Sequence, residues 1–211
     1  TSPIEHRRAT LESYRRGETQ FLINVGLFVA QMLTGPLLVR LFALWPPASP
    51  NFPGAPSFEL WQVLTYGFLH GSITHLFFNM LGLWMFGGEL ERLWGARRFV
   101  QFLLAGALAA ALVQIGWTLL IGSRAPTVGA SGALYALLLG FGMLFPNRII
   151  VPLIPPIPMK AKVFVAVFGG LELLFGLTGG SGIAHFAHLG GMLGGFLMIR
   201  YWRGQAPFGR R

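Results

Sequence analysis

The 211-residue chain has no cysteine and no aspartate, and only 11% of its residues are charged. The absence of cysteine excludes disulfides, a thiol nucleophile and covalent haem attachment. With no Asp and seven acidic residues in all, every carboxylate is a Glu, and few are available for acid–base work. The chain is instead 54% hydrophobic with a mean hydropathy of +0.60, far too apolar for a soluble domain of this size. The composition is that of an integral membrane protein.

Apolar runs bounded by Pro, Gly or charge predict spans at 21–44 (interrupted by Pro36), 70–93, 99–121, 131–145, 159–178 and 183–202. The expected fold is all-α, a compact bundle of six transmembrane helices. It divides into a polar, basic N-terminal segment (1–20), a membrane domain (21–203) and a short basic tail (204–211), with no internal repeat or second domain. With the N-terminus inside, fourteen of the sixteen basic residues fall on the cytoplasmic side, leaving Arg40 and Arg124 outside. That asymmetry supports an N-in, C-in topology. It also accounts for the formal charge of +9, so nucleic-acid binding is an unnecessary reading. The first 20 residues have no signal-peptide core. With no organelle transit segment visible, the expected location is a bacterial cytoplasmic membrane.

The longest external connection is 45–60, WPPASPNFPGAPSFEL, in which Trp45, Phe52 and Phe58, with the adjacent Trp61, suit the outer interface where aromatics gather. The loop TGGSG at 178–182 is rich in glycine and is expected to be a mobile cap before the last helix.

The segment 131–145, SGALYALLLGFGMLF, has 15 residues. At 1.5 Å per residue it covers roughly 22 Å of a hydrocarbon layer about 30 Å thick. If its end reaches one interface, Ser131 lies below the other. The backbone leading to it cannot face lipid, since unpaired N–H and C=O groups there cost several kcal/mol each. The helix start must therefore line a protected, wet cavity near the outer face.

A serine hydroxyl becomes a useful nucleophile when a base takes its proton, and imidazole does so near neutral pH. Ser131 and His188 supply that pair. At a helix start, unpaired N–H groups and the positive dipole end favour a developing oxyanion. In HGSITHLFFN (70–79), His75 and Asn79 are four apart and share a helix face, able to donate two hydrogen bonds to one oxygen. Among the seven Glu only Glu172 lies well inside a span, and the reading preferred there is structural, a hydrated carboxylate near the outer end of its helix. A Ser–His dyad is therefore expected in place of a triad, with His188 oriented by packing. Tyr135, one turn beyond Ser131, is the ring expected to stack on it. The small-xxx-small pairs Gly190/Gly194 and Gly191/Gly195 let the last helix approach its neighbour closely, a role preferred to that of a dimer interface.

These residues together resemble the rhomboid family of intramembrane serine proteases. The likeness rests on His70-x4-His75-x3-Asn79 on the second span, on Gly129-x-Ser131-Gly132 with Tyr135 on the fourth, and on Ala187-His188-x2-Gly191-x3-Gly195 on the sixth. Glu91 before the Arg-rich second cytoplasmic loop and Trp61, nine residues before His70, add to it. The likeness covers roughly 20–203, in order and spacing. It implies Ser131 as nucleophile and His188 as general base. His75, Asn79 and the Ser131 amide would form the oxyanion hole, and His70 would be a supporting hydrogen-bonding residue, with Gly129 and Gly132 completing the serine motif. The chain departs from the family at Gln62, where Trp-Arg is frequent. His185, three before the catalytic position, has no assigned role.

Other readings are weaker. A lone intramembrane serine is most often a packing residue bonded to a carbonyl. A metal site from His70, His75, His185 and His188 suffers from the i, i+5 spacing of the first pair and the absence of HExxH, so no metal and no cofactor are expected. Gly129-Ala130-Ser131-Gly132-Ala133 does not fit Gly-x-Ser-x-Gly, which removes the nucleophile elbow. The expected activity is a serine endopeptidase that cuts single-span membrane proteins near the outer face, in contact with membrane lipids. The alternative is a non-catalytic rhomboid-like protein that binds and presents membrane helices.

Overall fold

The computed structural model describes residues 21–47, 56–153, 155–178 and 184–207. The segment 1–20, residues 208–211 of the basic tail, residues 48–55 of the long external connection and residues 179–182 of the glycine-rich loop lie outside the described residues.

The first apolar run forms α1 (Phe21–Thr34). It breaks at Gly35, whose φ of 60° no β-carbon residue adopts cheaply, and at Pro36. A short α2 (Leu37–Phe42) follows. Chain returning from the 45–60 connection makes a single turn, α3 (Gln62–Thr65), and a 3-10 turn over Tyr66–Phe68. Gln62, fully buried, holds this corner: its Oε1 accepts from Trp45 N (3.2 Å) while Nε2 donates to the carbonyls of Leu41 (3.4 Å) and Ser57 (3.3 Å). The amide therefore anchors this corner.

Helix α4 (Ile73–Gly82) starts three residues later than the apolar run suggests, because Ser72 caps it by accepting from His75 N at 3.1 Å. His70 and Gly71 thus precede the helix. Through a π-helical turn (Leu83–Gly87) the chain continues into α5 (Gly88–Ile121). The run bends sharply at Gly95, with φ 74° and ψ 160°. A β-carbon on Gly87 would sit 3.2 Å from the Phe99 ring, whereas twelve residues of straight helix span about 18 Å, so the chain folds back on itself there.

Helix α6 (Ser131–Leu144) ends just before Pro146. The all-helical expectation is departed from in a two-residue antiparallel pair, β1 (Ile149–Ile150) with β2 (Met159–Lys160), Ile149 opposite Lys160, and in a single antiparallel bridge between Leu44 and Thr127. The β1–β2 pair delays α7 (Ala161–Thr178) to two residues after the start of the apolar run. Helix α8 (His185–Trp202) closes the fold. By length and composition the Ile73–Ile121 run and α7 are long and apolar enough to cross a membrane.

Helix α8 packs between α5 and α6, and its glycines explain how. A β-carbon at Gly191 would fall 1.8 Å from the Gly132 carbonyl oxygen, and one at Gly195 3.0 Å from that of Ala136, both on α6. Gly190 and Gly194 face the other way, where β-carbons would come within 2.8 and 2.7 Å of the Ala109 and Ala105 oxygens of α5. The two small-residue pairs therefore serve two different neighbours. One to three turns below Ser131 lies the apolar core, built on Phe86, Leu90, Phe102, Leu137, Phe141 and Phe164. Aromatic contacts of Trp94 with Phe102 (4.7 Å) and Trp202 (5.1 Å) tie the end of α8 to the Gly95 bend.

Candidate active site

The chain that delivers Ser131 is tied down by its own backbone. Leu44 and Thr127 exchange two N–H···O bonds of 2.9 Å, and Gly129 N donates to the Tyr66 carbonyl at 2.9 Å. These bonds satisfy the non-helical backbone ahead of a short apolar helix, the requirement that places such backbone in protein rather than lipid. Tyr66 is itself fixed, its hydroxyl donating to the Ala107 carbonyl of α5 at 2.9 Å. Gly129 adopts φ 127°, and a β-carbon there would strike the His75 ring at 2.6 Å, so the position admits glycine alone.

Ser131 is the first residue of α6, with first-turn N–H groups that have no intrahelical acceptor. Its Oγ lies 2.8 Å from His188 Nε2. The His188 ring stacks on Tyr135, centroids 4.3 Å apart and planes within 7°. The approach of α8 at Gly191 is what brings the imidazole to the serine, because Gly132 and Gly191 each lie within a turn of the pair.

The structure also puts a carboxylate beside His188, where packing alone was expected. Glu172, on α7, is 8% exposed. Its Oε1 accepts from the Tyr135 hydroxyl, and Oε2 is 2.6 Å from His185 Nδ1 and 2.9 Å from His188 Nδ1. The His185 contact meets hydrogen-bond geometry; the His188 contact lies off the Nδ1–H axis. Glu172 is thus held by protein groups rather than hydrated near the helix end, and His185 gains a defined contact.

Across the cleft, His75 is half-buried, with Nδ1 accepting from Gly71 N at 3.3 Å, and Asn79 is buried. The Asn79 Nδ2 has no hydrogen-bond partner. An unpaired buried donor is costly, and one at a cavity wall is free to bind an oxygen placed in the cavity. His70 is fully buried and meets His75 edge-on, centroids 5.3 Å apart; its backbone N–H and carbonyl are both clamped by the Gln31 side chain (3.2 and 2.8 Å). Ser131, Tyr135, His185, His188, His75 and Asn79 border one cavity of about 1070 Å³, which runs on past Gln114, Trp117 and Phe168; Glu172 and His70 lie behind its wall.

A family profile described as the Rhomboid domain matches residues 57–204. The chain belongs to the rhomboid family. The rhomboid match takes in the candidate site and every helix from α3 to α8. Among curated relatives, "Rhomboid protease GlpG" of Yersinia pestis (strain Pestoides F) is 28% identical over 185 residues, covering 86% of this chain and 60% of the relative. The protein of the same name from Photorhabdus laumondii is 30% identical over 184 residues, covering 85% and 58%. This rhomboid chain therefore spans about 60% of the length of the curated relatives it matches.

Of the residues singled out in the sequence, the structure brings Ser131, Tyr135, His188, His75 and Asn79 to the wall of one cavity, with Tyr135 stacked on His188. Sequence reasoning missed the place of Glu172 in the site. The available signal was depth: Glu172 lies six residues before the end of α7 and His188 three residues into α8, so an antiparallel pair brings them to similar levels.

Proposed function

We propose that this chain is an intramembrane serine endopeptidase of the rhomboid type, working through Ser131 and His188. The observation that carries the reading is the 2.8 Å Ser131 Oγ to His188 Nε2 contact at a helix start inside a large cavity. In this mechanism His188 Nε2 takes the hydroxyl proton as Ser131 Oγ attacks the scissile carbonyl. The resulting oxyanion is met by the Ser131 amide, Asn79 Nδ2 and His75, each donor of this kind typically supplying about 10²–10³ in rate. His188 then returns the proton to the leaving amine. Water entering the cavity hydrolyses the acyl-enzyme by the same steps in reverse order of partners.

The proposed architecture is six spans with both termini on the cytoplasmic side, in one membrane domain over 21–203 flanked by basic segments, in a bacterial cytoplasmic membrane. The basic-residue asymmetry supports it. Substrates are single-span membrane proteins cut near the outer face. A transmembrane helix hides its carbonyls in its own hydrogen bonds, so the substrate needs a locally unwound stretch of small or helix-breaking residues. No metal or cofactor takes part in these steps.

The test is cleavage of single-span reporter proteins by the purified, lipid-reconstituted protein beside Ser131→Ala. Cuts near the outer end of the reporter helix that vanish in the variant support the proposal. Cleavage that persists in the variant removes Ser131 as nucleophile, and no cleavage of any reporter removes the protease proposal and leaves the helix-binding reading.

A further inference from the structure

We propose that Glu172 is a positioning residue for His188, so that Ser131, His188 and Glu172 form a serine–histidine–glutamate triad within the bundle. The inference rests on the Ser131/His188 reading above. Its geometric basis is the carboxylate bridge. One oxygen, Oε1, is fixed by the Tyr135 hydroxyl, on the same ring that stacks on His188. The other, Oε2, is 2.6 Å from His185 Nδ1 and 2.9 Å from His188 Nδ1. Tyr135 comes from α6, Glu172 from α7 and the two histidines from α8. One carboxylate therefore locks together the three helices that must hold register for the serine and the imidazole to meet.

The chemical consequence concerns which nitrogen carries the proton. A carboxylate accepts only, so an oxygen beside Nδ1 favours the tautomer protonated there. Nε2 is then a lone pair directed at Ser131 Oγ, the arrangement a general base requires. When Nε2 takes the serine proton, the imidazolium forms next to an existing negative charge, and no proton passes on to Glu172. The off-axis placement of Oε2 in the resting enzyme is consistent with this, since catalytic hydrogen bonds are often poorly aligned before substrate is bound. The groups facing His188 are Ser131 and Tyr135 from α6, Glu172 from α7, His185 on its own helix and His75 across the cleft. Glu172 is the single negative charge among them.

The decisive experiment compares Glu172→Gln and Glu172→Asp with the parent in reporter cleavage, and reads the His188 tautomer by ¹⁵N-histidine NMR in micelles. The parent is expected to show His188 protonated at Nδ1. Glu172→Gln is expected to lower kcat about 10²-fold with KM within about twofold, and Glu172→Asp to recover part of the loss by restoring charge. A packing role alone predicts losses that track the folded fraction and no gain from Asp over Gln. Parental kcat in the Gln variant, or His188 protonated at Nε2 in the parent, overturns the proposal, and the second result needs no variant to fold. One equivalent of zinc retained by the parent and lost in Glu172→Gln also overturns it, making the cluster a metal site. Phosphonate labelling of Ser131 in the parent separates the two levels: labelling with an unaffected Gln variant rejects the positioning role of Glu172 and keeps the protease reading, whereas no labelling rejects the protease reading itself.

Discussion

Gly191→Ala tests the claim that helix approach, rather than side-chain choice alone, builds the site. The added β-carbon would lie 1.8 Å from the Gly132 carbonyl oxygen, with the carbonyl carbon at 2.7 Å and Cα at 3.1 Å. All three atoms are backbone, so no side chain can swing away. Reaching even a tight 3.0 Å requires α8 and α6 to part by about 1.2 Å, and overpacking of this kind costs typically about 1–3 kcal/mol. His188 is one turn from Gly191, so a comparable displacement stretches the 2.8 Å contact with Ser131 to about 4 Å, beyond a hydrogen bond. Misplacement of about 1 Å is worth roughly 10² in rate. The assay is single-turnover phosphonate labelling of Ser131 together with thermal unfolding in micelles. Gly116→Ala serves as control, since a β-carbon there meets nothing within 4 Å. Parental labelling rate and unfolding midpoint in Gly191→Ala would refute the reasoning.

Asn79→Ala is expected to lower kcat by about 10²–10³ with little change in KM, because its Nδ2 has no resting partner to lose; a KM effect alone, read in reporter kinetics, would contradict the oxyanion role. Gln62→Leu should destabilise the protein by about 1–3 kcal/mol, measured by unfolding in micelles, since it strands Trp45 N and the Ser57 carbonyl, whereas the Leu41 carbonyl keeps its bond from Trp61 Nε1; equal stability would mean the corner is held elsewhere. Tyr135→Phe keeps the ring stacked on His188 and removes the hydroxyl bonded to Glu172. It is expected to retain more activity than Tyr135→Ala, and the reverse order in reporter cleavage would assign the stack no part in holding the base.

Much of this was readable before the structure because it depends on local rules. Pro36 after Gly35 broke the first run, and the short apolar helix at Ser131 demanded protected backbone, which the Leu44–Thr127 pair supplies. The glycine spacing on α8 predicted close approach. It could not say that the two pairs face different helices, since that depends on α8 sitting between α5 and α6. The start of α4 was misjudged because Ser72 caps the helix inside an apolar run, and the start of α7 because Met159 and Lys160 pair with β1. Glu172 was the larger miss. In isolation a lone Glu near a helix end reads as hydrated. Its contacts are made across three helices, with Tyr135 37 residues away in sequence, and only the rotation of α7 directs it inward.

The most direct measurement is mass-spectrometric mapping of a serine-directed phosphonate on the folded, lipid-reconstituted protein and on His188→Ala. Adduct on Ser131 in the parent, lost in the folded variant, is the result the Ser131/His188 account predicts. Equal modification of Ser131 in both proteins, or an adduct at another residue, would contradict it.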